Sequence, residues 1–212
     1  MYAFYPLQRL LAVLIGYAFG TFQTAYVVGK LSAGIDIREH GSKNAGMTNV
    51  TRVVGKKQGF IVFVIDIIKA VLAFAVATLI WDGGGTFFAS SYVLPGLYAG
   101  LGAILGHNFP VFLKFRGGKG VSCTLGLILM LDWRVAVIAF AAGIVAVAVF
   151  RFISLASLLI TFLAPVLMFI FGYDVEVVAL TAVIGALAWF MHRENIQRLL
   201  SGTERKFLSS KS

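Results

Sequence analysis

Long apolar stretches alternate with a few short polar ones along this chain. Leu10–Val28, Phe60–Ile80 and Tyr92–Leu105 each read as a membrane-spanning helix. Crossing a hydrocarbon core takes about 20 apolar residues at about 1.5 Å per residue, and the third stretch is short by that measure. Val121–Phe150 is apolar except for Asp132-Trp133-Arg134 near its middle. One straight helix of that length would reach about 45 Å, too long for the core, so the pattern predicts two short helices turning at the charged tripeptide. Ile153–Phe171 and Val175–Phe190, divided by Gly172-Tyr173-Asp174, complete seven spans. The expected architecture is an all-α integral membrane protein, one seven-helix domain over residues 1–212 with a polar tail over residues 193–212.

Composition agrees with that pattern. Of the 212 residues 59% are hydrophobic and only 13% charged, where an ordinary soluble domain carries about a quarter charged residues. Mean hydropathy is +0.92, which leaves too little polar surface to face water all round. Met1–Gln8 is mixed and aromatic, with no small-residue cleavage site after the apolar run that follows, so a cleavable signal is not expected. A lone cysteine, Cys123, excludes an intramolecular disulfide. Lys and Arg set the orientation. With the N-terminus outside, fifteen of the eighteen fall in cytoplasmic connections and the tail, against Arg9 and Arg134 outside and Lys69 within a span. The net charge of +9 then points to anionic lipid headgroups and phosphate-bearing substrates rather than nucleic acid. Asp66 and Lys69, three residues apart on one face of the second span, read as a mutual pair turned into the bundle, structural rather than catalytic.

The cytoplasmic connections carry the candidate chemistry. Gly41–Arg52 mixes two glycines with hydroxyls, amides and cations, groups that bring backbone and side-chain donors to an anion. Gly106–Gly120 ends in Gly-Gly-Lys-Gly and runs straight into a helix, which puts a cation where the free N–H groups and the helix dipole favour an anion. This is not a nucleotide-binding P-loop, because Gly120 follows Lys119 where that motif needs Ser or Thr. Ser154 and Ser157 share a face at the entry to the sixth span. After the last span, helical spacing places His192 and Asn195 together. Three scattered histidines and one cysteine make no metal site.

Taken together, these four segments resemble the acyl-phosphate-dependent glycerol-3-phosphate acyltransferase family of bacterial phospholipid synthesis. Its GSxNxGxTNxxR loop is matched by Gly41–Arg52 and its GHxFPxFLxFxGGKG loop by Gly106–Gly120. An SxxS entry to the sixth span and an HRENIxRLxxGxE tail are matched by Ser154–Ser157 and His192–Glu204. The likeness runs from about residue 10 to residue 206, and the second and fourth motifs are very specific. In the first loop Lys43, Ala45 and Met47 stand where Gly, Ile and Ala are commoner.

The resemblance implies transfer of a fatty acyl group from acyl phosphate to the 1-hydroxyl of glycerol 3-phosphate, giving 1-acyl-glycerol 3-phosphate and phosphate. It implies a monomeric, multi-pass enzyme of the bacterial inner membrane that uses no cofactor and whose active site faces the cytoplasm. Lys119, Arg52 and Ser42, with the Gly117, Gly118 and Gly120 backbone, are assigned to phosphate and to charge developing on the acyl carbonyl oxygen. Asn44, Thr48 and Glu204 join the substrate-binding set. His192, Asn195 and Asn49 are expected to position the glycerol moiety, and Ser154 to add a hydroxyl donor. The HxxxxD dyad of other glycerolipid acyltransferases is absent, since Ala45, Phe112 and Gln197 stand five residues after His40, His107 and His192. The base is therefore His107, His192 or the substrate's own phosphate, with the substrate favoured and His107 read as a structural hydrogen-bonding residue beside the substrate. An organic-phosphate transporter would place its polar groups near the midplane, where only Asp66 and Lys69 lie. A lipid-binding scaffold would not need so many uncharged polar residues beside the cations.

Overall fold

The computed structural model describes residues 4–82 and 93–207; all but Trp81 and Asp82 of the expected outer loop Trp81–Ser91, and Lys211 of the tail, lie outside them. The described residues form ten α-helices and two short 3-10 helices. Their contacts fall into two compact units, Met1–Leu131 and Asp132–Ser212.

The first unit holds α1 (Pro6–Gly20), α2 (Thr24–Ala33), α3 (Met47–Val53), α4 (Lys56–Asp82), α5 (Leu94–Asn108) and α6 (Val121–Leu131). Helices α1 and α5 pack backbone to backbone. Gly16 and Gly20 lie against the main chain of Ala99 and Ala103, and Gly102 and Gly106 against that of Val13 and Tyr17, so a methyl at any of the four would overlap its neighbour. This is the small-xxx-small crossing by which membrane helices associate without a hydrophobic driving force. Helix α4 packs against both, with Ala70, Ala73, Phe74 and Ala77 buried and the Phe74 ring against Gly96 of α5.

The expected first span, Leu10–Val28, is not one straight helix. Its ladder breaks at Thr21–Gln23 between α1 and α2. The carbonyls freed there are met from other helices: Lys69 donates to Gly20 O at 3.3 Å and to Phe22 O at 2.9 Å. Buried backbone acceptors need such partners, above all at membrane depth.

The second unit holds α7 (Trp133–Phe150), α8 (Ile153–Ile170), α9 (Val175–Met191) and α10 (Arg193–Leu200). Asp132 begins it as the N-cap of α7. Its carboxylate accepts from the Arg134 backbone at 2.8 Å, pairs with the Arg134 guanidinium at 2.7 Å and accepts from Tyr173 Oη at 3.1 Å. The helix break expected at the charged tripeptide is thus present. Trp189 Nε1 donates to Leu158 O at 3.3 Å and fastens α9 to α8.

Five segments among the described residues are long and apolar enough to cross a membrane: Pro6–Ala33, Lys56–Trp81, Leu94–Leu113, Trp133–Phe150 and Ile153–Ile170. Helices α9 and α10, bent by 62° at His192, make a sixth if counted as one. The expected seventh is α6, whose 11 residues reach only about 17 Å. Large apolar side chains stand exposed on these helices, Phe169 at 74% and Val175 at 84% among them, as a lipid-facing surface requires.

Candidate active site

In the first unit the Gly41–Arg52 loop is built around Asn49, on the first turn of α3 and 1% exposed. Its Nδ2 donates toward the carbonyls of Ile37, His40 and Asn44 at 3.0, 2.9 and 3.1 Å, and its Oδ1 accepts the Ser42 N–H at 2.9 Å. One amide group therefore organises residues 37–44. Gly41, at φ +60°, lies so close to Asn49 Oδ1 that a side chain there would collide with it. Lys43 also adopts the left-handed region, at φ 59°, which explains why glycine is the commoner residue at this place in the motif and costs a lysine about 1 kcal/mol. Arg38 lies across Asp36 at 2.6 Å and donates to Leu113 O at 3.0 Å, tying this loop to the next. The Arg38 hydrogen bond holds the Asp36 carboxyl below its ordinary range against the opposing effect of burial.

The Gly106–Gly120 loop folds back on the end of α5. Gly117 N–H donates to Asn108 O at 3.2 Å and Gly118 N–H to His107 O at 3.0 Å. Gly117 O accepts from the Ala45 N–H at 3.4 Å, so the two motif loops touch. The N–H groups of Gly117 and Gly118, expected at the phosphate, thus donate to the end of α5. What these glycines supply is close approach, since a side chain at Gly117 would overlap His107 O and one at Gly118 the His107 ring. Gly120 turns the chain at φ +79° into α6, where the first ladder bond runs from Thr124 N–H to Gly120 O at 2.8 Å. The N–H groups of Val121, Ser122 and Cys123 precede that bond, as at any helix start, and form the anion-favouring end of α6. Lys119 is half-buried immediately before it.

Ser42 and Arg52 are exposed on this unit and Asn44 and Thr48 half-buried. His107 is 4% exposed, its Nδ1 lying 2.8 Å from Lys69 Nζ. Asn49 and His107 are both buried, Asn49 bonded to the backbone of residues 37–44 and His107 to Lys69.

In the second unit the hub is Glu204. Its Oε1 accepts from Ser154 Oγ at 3.0 Å and Asn195 Nδ2 at 2.8 Å, and its Oε2 from Arg198 Nε at 2.8 Å. Burial would raise this carboxyl, but the hydrogen bonds from Arg198, Asn195 and Ser154 outweigh it and hold the group below the ordinary glutamate range. The structure brings Ser154, Asn195 and Glu204 together. Arg198 completes the cluster and is absent from the expected set; its place six residues before Glu204 in the tail motif was the available signal. His192 is 4% exposed, with Nδ1 2.7 Å from Ala188 O, so that nitrogen carries a proton. Among the described residues no group of three or more His, Cys, Asp or Glu is placed to hold a metal ion.

Comparison with known proteins matches residues 10–202 to a family profile described as glycerol-3-phosphate acyltransferase. A glycerol-3-phosphate acyltransferase of Halalkalibacterium halodurans is 40% identical over 200 residues, covering 92% of this chain and 94% of that protein. Two crystal structures of PlsY (YgiH), an integral membrane glycerol 3-phosphate acyltransferase, are similar at 39% identity over 94% of this chain and 95% of theirs. The glycerol 3-phosphate form gives a TM-score of 0.84 and the lysophosphatidic acid form 0.82. The chain belongs to the glycerol-3-phosphate acyltransferase family.

Proposed function

We propose that the protein transfers a fatty acyl group from acyl phosphate to the 1-hydroxyl of glycerol 3-phosphate, at the cytoplasmic face of a bacterial inner membrane. The supporting observation is the Gly117–Gly120 turn into α6, with Lys119 at the helix start and the Gly41–Arg52 loop hydrogen-bonded beside it. A cation, a helix N-terminus and a second polar loop suit a phosphate dianion. The family, and relatives solved in glycerol 3-phosphate and lysophosphatidic acid forms, support the same acceptor and product.

The glycerol O1 attacks the acyl carbonyl carbon, the bond from that carbon to the phosphate oxygen breaks, and the hydroxyl proton leaves with the phosphate. Lys119, Arg52 and Ser42, with the first N–H groups of α6, bind the phosphate and offset charge on the carbonyl oxygen. The proton passes to a substrate phosphate oxygen, because Lys69 donates to His107 Nδ1 and no Asp follows any histidine at the dyad spacing. Ser154, Asn195 and His192 are read as the groups that hydrogen-bond glycerol hydroxyls, Ser154 and Asn195 being set by Glu204. The first unit's site is completed from behind by Asn49. Seven membrane segments with the N-terminus outside follow from the Lys and Arg distribution, with α6 as a short crossing.

Residues 34–55, the polar connection between α2 and α4, are folded tightly into the loop around Asn49. That suits a donor whose head is a bare phosphate better than a nucleotide or a carrier protein. Purified protein supplied with radiolabelled glycerol 3-phosphate should turn over acyl phosphate and ignore acyl-coenzyme A and acyl-carrier protein. Robust turnover with acyl-coenzyme A alone would overturn the donor assignment.

A further inference from the structure

Lys69 lies in the middle of α4, yet its ammonium is fully occupied. Its three protons meet Asp66 Oδ1 at 2.9 Å, Phe22 O at 2.9 Å and His107 Nδ1 at 2.8 Å, with Gly20 O further off at 3.3 Å. Asp66 in turn accepts from Thr24 Oγ1 at 2.9 Å and lies 3.7 Å from His107 Nδ1. Both charged groups are at least 95% buried, as a pair must be at that depth. An ammonium has only protons to offer, so His107 Nδ1 accepts and the ring proton sits on Nε2. The Nε2 edge points at the Gly-Gly-Lys-Gly loop. It borders the point where a Gly118 side chain would begin, and the Ala45 carbonyl oxygen borders the same point. An N–H there is complementary to that carbonyl; a lone pair would face it oxygen to nitrogen.

We infer that Asp66 and Lys69 are a positioning pair for the acyl-transfer site, acting through His107 by holding its ring in the Nε2–H tautomer against Gly118 and Ala45. This rests on the reading of the two loops as the phosphate site. The pair does more than hold helices together. It decides which face of the imidazole supports the junction where Ala45 N–H meets Gly117 O. Removing Lys69 alone leaves Asp66 as the nearest charged partner of Nδ1. The ring then takes a proton on Nδ1 to satisfy it, by changing tautomer or by becoming imidazolium. Removing both charges returns the ring to its intrinsic preference for Nε2–H.

The test is nitrogen NMR of the full-length protein labelled with ¹⁵N-histidine, with His40→Gln and His192→Gln used to assign His107 by elimination, alongside acyl-transfer kinetics. Wild type should show a lone-pair Nδ1 and a protonated Nε2. Lys69→Met should convert the Nδ1 signal to the protonated type and lower kcat/KM about tenfold, the size of one positioned hydrogen bond. Asp66→Leu/Lys69→Met should restore the lone-pair Nδ1 and recover most of that loss. A purely structural pair predicts instead that the double variant is at least as impaired as the single one, and that result overturns the inference. So does a wild-type ring protonated on Nδ1, which can be read without any variant at Asp66 or Lys69, or a Lys69→Met spectrum identical to wild type. Full activity in Lys119→Ala, by contrast, would remove the loops from the active site and leave the tautomer result standing.

Discussion

Replacing Asn49 by aspartate keeps the shape of the side chain and removes everything it donates. The native amide shares two protons among the carbonyls of Ile37, His40 and Asn44 while its oxygen holds the Ser42 N–H. In Asn49→Asp the Ser42 bond survives, two donated bonds worth about 1 kcal/mol each are lost, and a carboxylate oxygen faces carbonyl oxygens at about 3 Å. With the desolvation penalty of acceptors left unpaired, the native loop should be weakened by about 3–5 kcal/mol. That energy is local, so the helices remain folded while residues 36–46 open. Hydrogen–deuterium exchange in peptides covering residues 36–52 should accelerate about 150- to 5000-fold, and acyl transfer should fall by a similar factor. If Asn49 instead touches the glycerol moiety, activity falls while exchange stays at the wild-type rate. Unchanged exchange would refute the argument that this side chain organises the loop.

Glu204→Gln should lower the thermal midpoint in detergent at neutral pH, by weakening the bonds to Ser154, Asn195 and Arg198. The folded-state value of Glu204 lies below its ordinary 4.5, so its stabilisation is complete above that pH and is lost as pH falls through the depressed value. The difference between wild type and Glu204→Gln should therefore narrow in acid, and a gap that widens there would contradict the assignment. For topology, cysteines replacing Lys43 and Asp174 in a Cys123→Ala background should react with an impermeant reagent from opposite sides of the membrane. Asp174 is exposed and makes no side-chain capping bond, so its replacement disturbs little; labelling of both from one side would rule out the seven-segment arrangement.

The parts of the site that were legible in the sequence are those where residue type alone states the chemistry. Gly-Gly-Lys-Gly before an apolar run announces a helix start with a cation on it, and Asp132-Trp133-Arg134 announces a break, because a charged tripeptide cannot sit within a span. The break at Thr21–Gln23 had no such sign. Its stability comes from Lys69, more than forty residues away, and a local pattern cannot show a distant donor. The same limit explains Asn49 and Gly118. Their place in a polar motif suggested substrate contact, whereas the hydrogen bonds that occupy them run to the carbonyls of Ile37, His40, Asn44 and His107. Glu204 was visible as a motif residue, but its work as the acceptor for three side chains depends on how the tail folds back onto Ser154.

The central claim is that Lys119, at the entrance to α6, binds and stabilises phosphate in acyl transfer. Lys119→Ala removes the ammonium and leaves the backbone of Gly118 and Gly120 as it is. Single-turnover and steady-state rates with acyl phosphate and glycerol 3-phosphate, measured on purified variant whose thermal unfolding matches wild type, test the claim directly. A loss of about 100- to 1000-fold in kcat/KM, the usual consequence of deleting one such charge-assisted donor, is the predicted result. Near-normal turnover in the folded variant would show that Lys119 serves only as a membrane-surface cation and that the phosphate is held elsewhere.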